Sequence, residues 1–287
     1  MRGNILAAWL QLTGERTPNS LRNPALAANP EPNRGSGFMA QVSRLPQPVQ
    51  ADRLKTGAAT YSSGIADAQN YMNWVIEQFR PYLKGRIVEV GFGHGLYSRV
   101  LGELGDYCGV DHDRDSVEQA SRAMPDRSFA VCDILVAEQL HALFPDGVDA
   151  VFTLNVLEHI EDDAKAVANL VDVLKPGGHL LISVPALMLL YNDLDRLAGH
   201  FRRYSTARLR DILAGQPVEL VRLSYFNPIG GLGWLANRLK RHDSLNDDAV
   251  NGQIALFDRY MVPLSRALDP LSRSFFGQSV TCIARRV

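Results

Sequence analysis

The sequence lacks the features that would place the protein in a membrane or among disulfide-stabilised chains. Its 287 residues include three cysteines, an odd number whose spacing fits no zinc or Cys-x-x-Cys pattern, so buried free thiols in a reducing compartment are expected. No apolar run reaches the length of about 18 residues that a transmembrane helix needs. Residues 1–12 lack the long apolar stretch and the cleavage site of a signal peptide. We therefore expect a cytoplasmic protein without a membrane span.

A strong charge of either sign is also missing. The formal net charge is −1, with 21% charged and 46% hydrophobic residues, which is the balance of an ordinary globular protein. Proteins that bind nucleic acid by its phosphates are usually strongly basic, although a local basic patch is compatible with these totals. We therefore expect no nucleic-acid partner.

Strands and helices alternate along the middle of the chain. Apolar residues at three- and four-residue spacing predict a first helix over residues 66–83, and the Lys175–Gly178 turn is predicted to end a later helix. The alternation indicates β-α-β crossovers, and so an α/β fold with a doubly wound, seven-stranded, mostly parallel sheet. A ligand of such a sheet lies at the carboxyl ends of the strands, near the point where the strand order reverses. The predicted strands are 86–90, 107–110, 128–132, 148–154, 179–184, 218–225 and 277–286.

Two segments depart from this alternation. Residues 1–65 are predicted to form an N-terminal arm or lid, and residues 66–287 one domain with a helical insertion at 229–275. Apolar residues at helical spacing in the insertion are typical of a core or of a homodimer interface, and a pocket for a lipid-like or polyketide-like molecule is the alternative.

A glycine-rich turn follows the first predicted strand. Glycines let a backbone bend sharply and approach a ligand closely, and the helix after the turn offers unpaired N–H groups. A dinucleotide fingerprint would need glycine at position 96, which is Leu96. The turn reads Glu89-Val90-Gly91-Phe92-Gly93-His94-Gly95.

Acidic residues also end the second and third predicted strands. Asp111 lies twenty residues after Gly91, where nucleotide-binding folds place an acid that accepts hydrogen bonds from ribose hydroxyls. Asp133 ends the third strand, and its alternative role is to cap a turn.

These motifs, together with the Leu-Glu-His segment 157–159 and the Leu-Lys-Pro-Gly-Gly turn 174–178, resemble class I (Rossmann-like) S-adenosylmethionine-dependent methyltransferases of the small-molecule type. The resemblance covers residues 70–225 closely and implies S-adenosylmethionine as the cofactor. It implies that Glu89 faces the ammonium end of the methionine moiety and that Asp133 takes the adenine amino group. The cofactor-binding residues expected on this basis are Tyr61, Glu89, Gly91, Gly93, Gly95, Asp111, His112, Cys132, Asp133, Ile134, Asn155 and Val156.

The sequence lacks the motifs of two other branches of the class I methyltransferases. Enzymes acting on base amines or on glutamine typically carry [DN]-P-P-Y after the fourth strand, whereas this chain has Asn155-Val156-Leu157-Glu158. Catechol-type enzymes place a metal-binding Asp there, and this strand ends without one. We therefore expect O- or N-methylation of a small molecule or of an acceptor of the natural-product or glycan type. We expect no catalytic metal.

The segment after the fifth strand borders the acceptor pocket in this family. Tyr191, Arg203 and Tyr204 are therefore candidates for substrate contact, and His200 lies in the same segment. The alternative is that His200, Arg203 and Tyr204 lock the loop onto the body of the protein. An acceptor that starts protonated also needs a base, and His159 and His200 are the candidates, because an imidazole titrates near neutral pH. His159 has the alternative role of packing beside the cofactor.

Two other functional classes remain open. An NAD(P)-dependent oxidoreductase would also use an acid at Asp111, although the glycine spacing and the Leu-Glu-His segment disfavour it. A cofactor-binding accessory protein without catalysis would keep Glu89, Asp111 and Asp133.

Overall fold

The computed structural model describes residues 68–237 and 256–287, and within them it contains one seven-stranded sheet. The strands are β1 Arg86–Val90, β2 Asp106–Asp111, β3 Ser128–Val131, β4 Val148–Leu154, β5 Leu174–Pro185, β6 Val218–Phe226 and β7 Ser279–Arg286. Their order in the sheet is β3-β2-β1-β4-β5-β7-β6, in which β7 runs antiparallel to both of its neighbours and the pairs from β3 to β5 are parallel. This confirms the predicted fold class.

Helices connect the strands and precede the last one. The helices Ala137–Leu143 and Asp193–Ala198 were not predicted from the sequence, because neither short segment shows a clear helical period. Short 3₁₀ turns lie at Arg80–Tyr82, Leu157–His159 and Met188–Leu190, and a π-helical turn at Phe257–Met261. The helices are α1 Gln69–Phe79, α2 Ser98–Leu104, α3 Arg114–Ala123, α4 Ala137–Leu143, α5 Asp163–Asp172, α6 Asp193–Ala198, α7 Thr206–Leu213, α8 Pro228–Asn237 and α9 Val262–Ser272.

Side-chain caps fix where several helices begin. The Asp113 carboxylate accepts backbone N–H groups at the start of α3, and Ser205 does the same for α7. At α6, Asn192 and Asp195 form a reciprocal capping box, and Gly199 ends this helix in the left-handed conformation with φ +82°. These caps set the path of the segment between β5 and α7, which borders the candidate site.

The hydrophobic core lies on both faces of the sheet. Alternate residues of one strand point to opposite faces, so Val88 packs in one buried cluster and Ile87 in the other. The central strands are therefore apolar on both sides, as parallel sheets covered by helices are. The three cysteines are free and buried, as expected. Among the described residues, no helix is long and apolar enough to cross a membrane.

The largest error in the predicted strand boundaries is at the start of the fifth strand, while the other boundaries differ by at most two residues. The Lys-Pro-Gly-Gly sequence indicates a turn, and the fifth strand was expected to begin at His179. The structure begins β5 at Leu174, which pairs with Val148, while His179 pairs with Ala150. Residues 175–178 lie between these two pairs and interrupt the regular pairing with β4 as a bulge-like irregularity. The predicted arm 1–65 lies outside the described residues, and the division at residue 65 stays a prediction.

Candidate functional site

The site lies where β1 and β4 run side by side and the strand order reverses. The turn after β1 holds Gly91, Gly93 and Gly95 at φ values of +69°, +53° and +71°, which only glycine adopts without strain. A Cβ atom on Gly91 would lie 2.3 Å from the Val156 side chain. The glycine therefore lets the turn after β1 approach the turn after β4.

A cavity that is partly open to solvent lies at this point. Three of the predicted cofactor-binding residues, Glu89, Gly91 and Asn155, line it. The complete lining is Tyr71, Glu89, Val90, Gly91, Phe92, His94, Leu96, Tyr97, Leu154, Asn155 and Ser183.

Glu89 is the buried acid of this cavity. One of its carboxylate oxygens accepts hydrogen bonds from the Ser98 hydroxyl at 2.7 Å and the Tyr107 hydroxyl at 2.5 Å. Burial raises the pKa of Glu89 to about 7, and the two hydrogen bonds oppose this shift. The carboxylate is held in one orientation and lacks a cationic partner in these contacts. It is therefore suited to receive a cationic group of a ligand. The sequence did not identify Ser98 and Tyr107, whose roles depend on the fold.

Asp111 lies at the carboxyl end of β2, next to the glycine turn. It is buried, and its carboxylate accepts the backbone N–H of Gly93 at 3.4 Å and that of Asp113 at 3.0 Å. Nδ1 of His112 lies 3.3 Å from the same carboxylate, and His112 itself is exposed. The Asp111 carboxylate thus connects the turn after β1 to the end of β2.

Asp133, at the end of β3, makes the turn-capping contact that the sequence offered as the alternative to a cofactor-binding role. Its carboxylate accepts the Leu135 N–H at 2.9 Å, and its own N–H donates to the Gln139 side chain. Cys132 and Ile134 are buried in the core on either side of it. Asp133 is partly exposed at the same edge of the sheet as Asp111, and a capping role leaves one carboxylate oxygen for another contact.

These residues fit S-adenosylmethionine. A buried carboxylate suits the ammonium group of the methionine moiety, and the glycine turn keeps side chains out of the space beside it. The acids at the ends of β2 and β3 lie along the edge that the nucleoside would follow. Tyr61, the remaining predicted cofactor residue, lies outside the described residues.

Beyond β5, the structure favours the locking role for Arg203 and Tyr204. Tyr204 is fully buried, and its hydroxyl lies 2.9 Å from the Leu157 carbonyl and 2.8 Å from the Asp163 carboxylate. The Arg203 guanidinium is buried and donates to Asp195 at 2.8 Å. The polar groups of both side chains are thus engaged by partners within the protein.

Tyr191 and the two candidate bases lie close together. The Tyr191 hydroxyl donates to the backbone carbonyl of His200 at 2.8 Å. The rings of His159 and His200 stand edge to face with centroids 4.7 Å apart. Burial lowers the pKa of His159 to about 4, with a further decrease from the nearby His200.

His200 is oriented by Asp195, an acid that was not among the residues predicted for the site. Its Nδ1 lies 2.8 Å from the Asp195 carboxylate. Burial alone would raise the pKa of Asp195, but the bonds to His200 and Arg203 hold the pKa below its usual value. An ionised carboxylate only accepts, so Nδ1 of His200 donates and Nε2 carries the lone pair of the neutral ring. The signal in the sequence was the Asn192–Asp195 spacing of a capping box.

The family match agrees with this geometry. Residues 88–182 match the family model described as "Methyltransferase domain", a range that runs from β1 through most of β5. Residues 88–182 are therefore similar to a methyltransferase domain, and the fold around them agrees with this match.

Relatives with known names match part of the chain. A ubiquinone biosynthesis O-methyltransferase of Ralstonia nicotianae is 32% identical over 114 residues, which are 39% of this chain and 48% of that protein. The protein of the same name from Proteus mirabilis is 26% identical over 114 residues, 39% of this chain and 46% of that protein. The chain thus spans about half the length of the curated relatives it matches.

Solved structures share the fold. A SAM-dependent methyltransferase from Archaeoglobus fulgidus superimposes with a TM-score of 0.51 at 17% identity, covering 76% of this chain and 94% of that chain. An S-adenosylmethionine-dependent methyltransferase from Mesorhizobium loti gives a TM-score of 0.50 at 20% identity, covering 77% and 98%.

Proposed function

We propose that the protein transfers the methyl group of S-adenosylmethionine to an oxygen atom of a small molecule. The observation that carries this proposal is the buried Glu89 carboxylate, held by two hydroxyl groups in a cavity where the turns after β1 and β4 meet. When bound, the cofactor supplies a methyl group already activated by its sulfonium. The task left to the protein is to bind and orient the two reactants.

Different predicted residues bind different parts of the cofactor. Glu89 receives the ammonium group, and the glycine turn and Asn155 border the methionine moiety. The carboxylates of Asp111 and Asp133 accept hydrogen bonds from the ribose hydroxyls and from the adenine amino group. His112, Cys132, Ile134 and Val156 provide the surrounding contacts.

An oxygen acceptor is supported by the names of the relatives, since those matched over 114 residues are O-methyltransferases. The acceptor is expected beside the segment after β5, where Tyr191 is partly exposed. We infer that it is a small molecule and not a nucleic acid, because the chain has a net charge of −1.

His200 is better suited than His159 to act as the general base. Its Nε2 atom carries the lone pair because Nδ1 is held by Asp195 at 2.8 Å. The pKa of His159, about 4, makes its imidazole neutral but a weaker proton acceptor. His200→Gln is therefore expected to lower the rate by about 10²- to 10⁴-fold, the usual contribution of a general base.

The experiment is a methyl-transfer assay with the full chain and methyl-labelled S-adenosylmethionine. A panel of phenols, hydroxylated natural products, glycans, amines and oligonucleotides is offered, and the labelled products are separated by class. We expect label on a hydroxyl compound, with Glu89→Gln abolishing transfer at limiting cofactor. Transfer to amines or oligonucleotides alone, or to none of these classes, contradicts the proposal.

We also infer self-association through the helical insertion, in a cytoplasmic setting. Four apolar side chains of α9 and the turn after it, at three- and four-residue spacing, are exposed: Leu264, Leu268, Leu271 and Phe275. Light scattering of the full chain should give twice the chain mass of 31.7 kDa, and Leu268→Asp with Leu271→Asp should give the monomer. A monomeric wild type contradicts this inference.

A further inference from the structure

Glu158 is a buried acid whose carboxylate makes no hydrogen bond among the described residues. Its side chain is fully buried, and neither carboxylate oxygen has a hydrogen-bond partner within residues 68–237 and 256–287. Leaving a buried charge unpaired is costly, so in native proteins such groups are neutralised by a proton, paired with another group or bound to a metal. Burial raises the pKa of Glu158 to about 7. Glu158 therefore requires an explanation that the methyl-transfer site does not supply.

Two imidazoles face this carboxylate. Oε1 of Glu158 lies 3.9 Å from Nε2 of His200, too far for a hydrogen bond. His159 completes the group, and one ligand atom from each of the three residues lies within 4.8 Å of the others. A tetrahedral Zn²⁺ ion with ligands at about 2.0–2.2 Å holds neighbouring ligand atoms about 3.4 Å apart. Shifts of about 1 Å would bring all three into a common coordination shell.

The backbone around the cluster is held in place. The N–H of Phe201 donates to the carbonyl oxygen of Glu158 at 2.8 Å, which ties the His200 loop to the turn after β4. Asp195 holds Nδ1 of His200 and is itself held by Arg203 and by the Trp234 indole N–H at 3.2 Å. A carboxylate behind a histidine fixes the tautomer that presents Nε2 to a metal ion.

We propose that Glu158, His159 and His200 form a binding site for one divalent transition-metal ion, for which Zn²⁺ is the probe. Two imidazoles and one carboxylate are ligands that Zn²⁺ accepts, and three protein ligands leave a coordination position open. Mg²⁺ and Ca²⁺ prefer oxygen ligands and are not expected to bind here. His200 is 12% exposed on its side chain, so the site is nearly closed by protein.

This site departs from the expectation of no catalytic metal, which rested on the missing Asp at the end of β4. It also competes with the proposed base, because a metal ion on Nε2 of His200 occupies the lone pair that would accept a proton. Metal-loaded and metal-free protein should therefore differ in methyl-transfer rate. Metal binding itself can be measured without cofactor or acceptor.

The test uses the full chain, stripped of metal with EDTA and titrated with ZnCl₂ by calorimetry, and with MgCl₂ as a control. The variants are Glu158→Gln, His159→Gln and His200→Gln. The matched control is His141→Gln, since His141 is a histidine paired with a carboxylate at an exposed position, 2.7 Å from Asp172.

We expect one Zn²⁺ per wild-type chain and no heat of binding with Mg²⁺. Each of the three variants should weaken Zn²⁺ binding more than about 10-fold, and His141→Gln should not. Retained S-adenosylhomocysteine binding by the variants shows that they are folded and separates this result from failure of the methyltransferase proposal. No stoichiometric Zn²⁺ on the wild type, or unchanged affinity in Glu158→Gln and His200→Gln, overturns the proposal.

Discussion

Gly91 and Val156 approach so closely that the glycine cannot be replaced without displacing the valine. A Cβ at position 91 would lie 2.3 Å from Cγ2 of Val156, and the φ of +69° disfavours any other residue. This contact joins the two turns that form the cofactor cavity.

Gly91→Ala should therefore destabilise the protein by about 3 kcal/mol, the sum of left-handed backbone strain and steric overlap. Urea unfolding measures this free energy. Gly215→Ala is the matched control, because Gly215 has φ +83° with nothing within 4 Å of the added Cβ, and it should cost about 1 kcal/mol. Adding Val156→Ala to Gly91→Ala should recover part of the difference. Equal losses for the two glycine variants would show that the contact is unimportant.

The affinity for S-adenosylhomocysteine should depend on pH through Glu89. Its pKa of about 7 in the unliganded protein means that protons compete with the ligand's ammonium group for the carboxylate. Affinity should be highest above pH 7 and fall by about tenfold per pH unit well below it. Calorimetry between about pH 5.5 and 7.5 measures this. Glu89→Gln should bind weakly with no such dependence; a parallel slope in this variant would assign the effect to another group.

Asp111 should contribute to nucleoside binding through its charge. Asp111→Asn is expected to weaken S-adenosylhomocysteine binding by about 10- to 100-fold, because hydrogen bonds to charged groups contribute about 1.5–3 kcal/mol. The control is Asp106→Asn at the opposite end of β2, where the carboxylate is exposed and paired with Arg86. Equal affinities of the two variants would remove Asp111 from the site.

Tyr204 should matter for stability and not for ligand affinity. Its buried hydroxyl lies between the Leu157 carbonyl and the Asp163 carboxylate, so Tyr204→Phe removes a buried hydrogen bond to these acceptors and should cost about 1–3 kcal/mol. Thermal unfolding measures this loss, with Tyr82→Phe, at a half-buried tyrosine, as the control. A raised KM for the acceptor with unchanged stability would instead restore the substrate-contact role.

The sequence predicted the elements whose physical signal is local. β1 and β4 were predicted to the residue, because short apolar runs between glycine or polar residues mark buried parallel strands. The start of β5 was wrong since Lys-Pro-Gly-Gly has the local character of a turn, while its place in the strand depends on pairing with β4.

The candidate site likewise contains residues that a local motif predicts and residues that only the fold brings together. Glu89 and the glycines could be found from one short motif. Ser98 and Tyr107, which hold Glu89, come from a helix and a neighbouring strand, and only the fold brings them together. Glu158 and His200 are 42 residues apart in the sequence, and the burial of Glu158 beside His200 depends on two loops that a backbone hydrogen bond joins. A long-range contact of this kind leaves no spacing pattern in a single sequence.

The central claim is that the cavity between β1 and β4 binds an adenosyl sulfonium compound. Calorimetric titration of the full chain with S-adenosylhomocysteine, and separately with NADH, tests it most directly. The account predicts one bound S-adenosylhomocysteine per chain, lost or strongly weakened in Glu89→Gln, and no heat of binding with NADH. Saturable binding of NADH without binding of S-adenosylhomocysteine would contradict it.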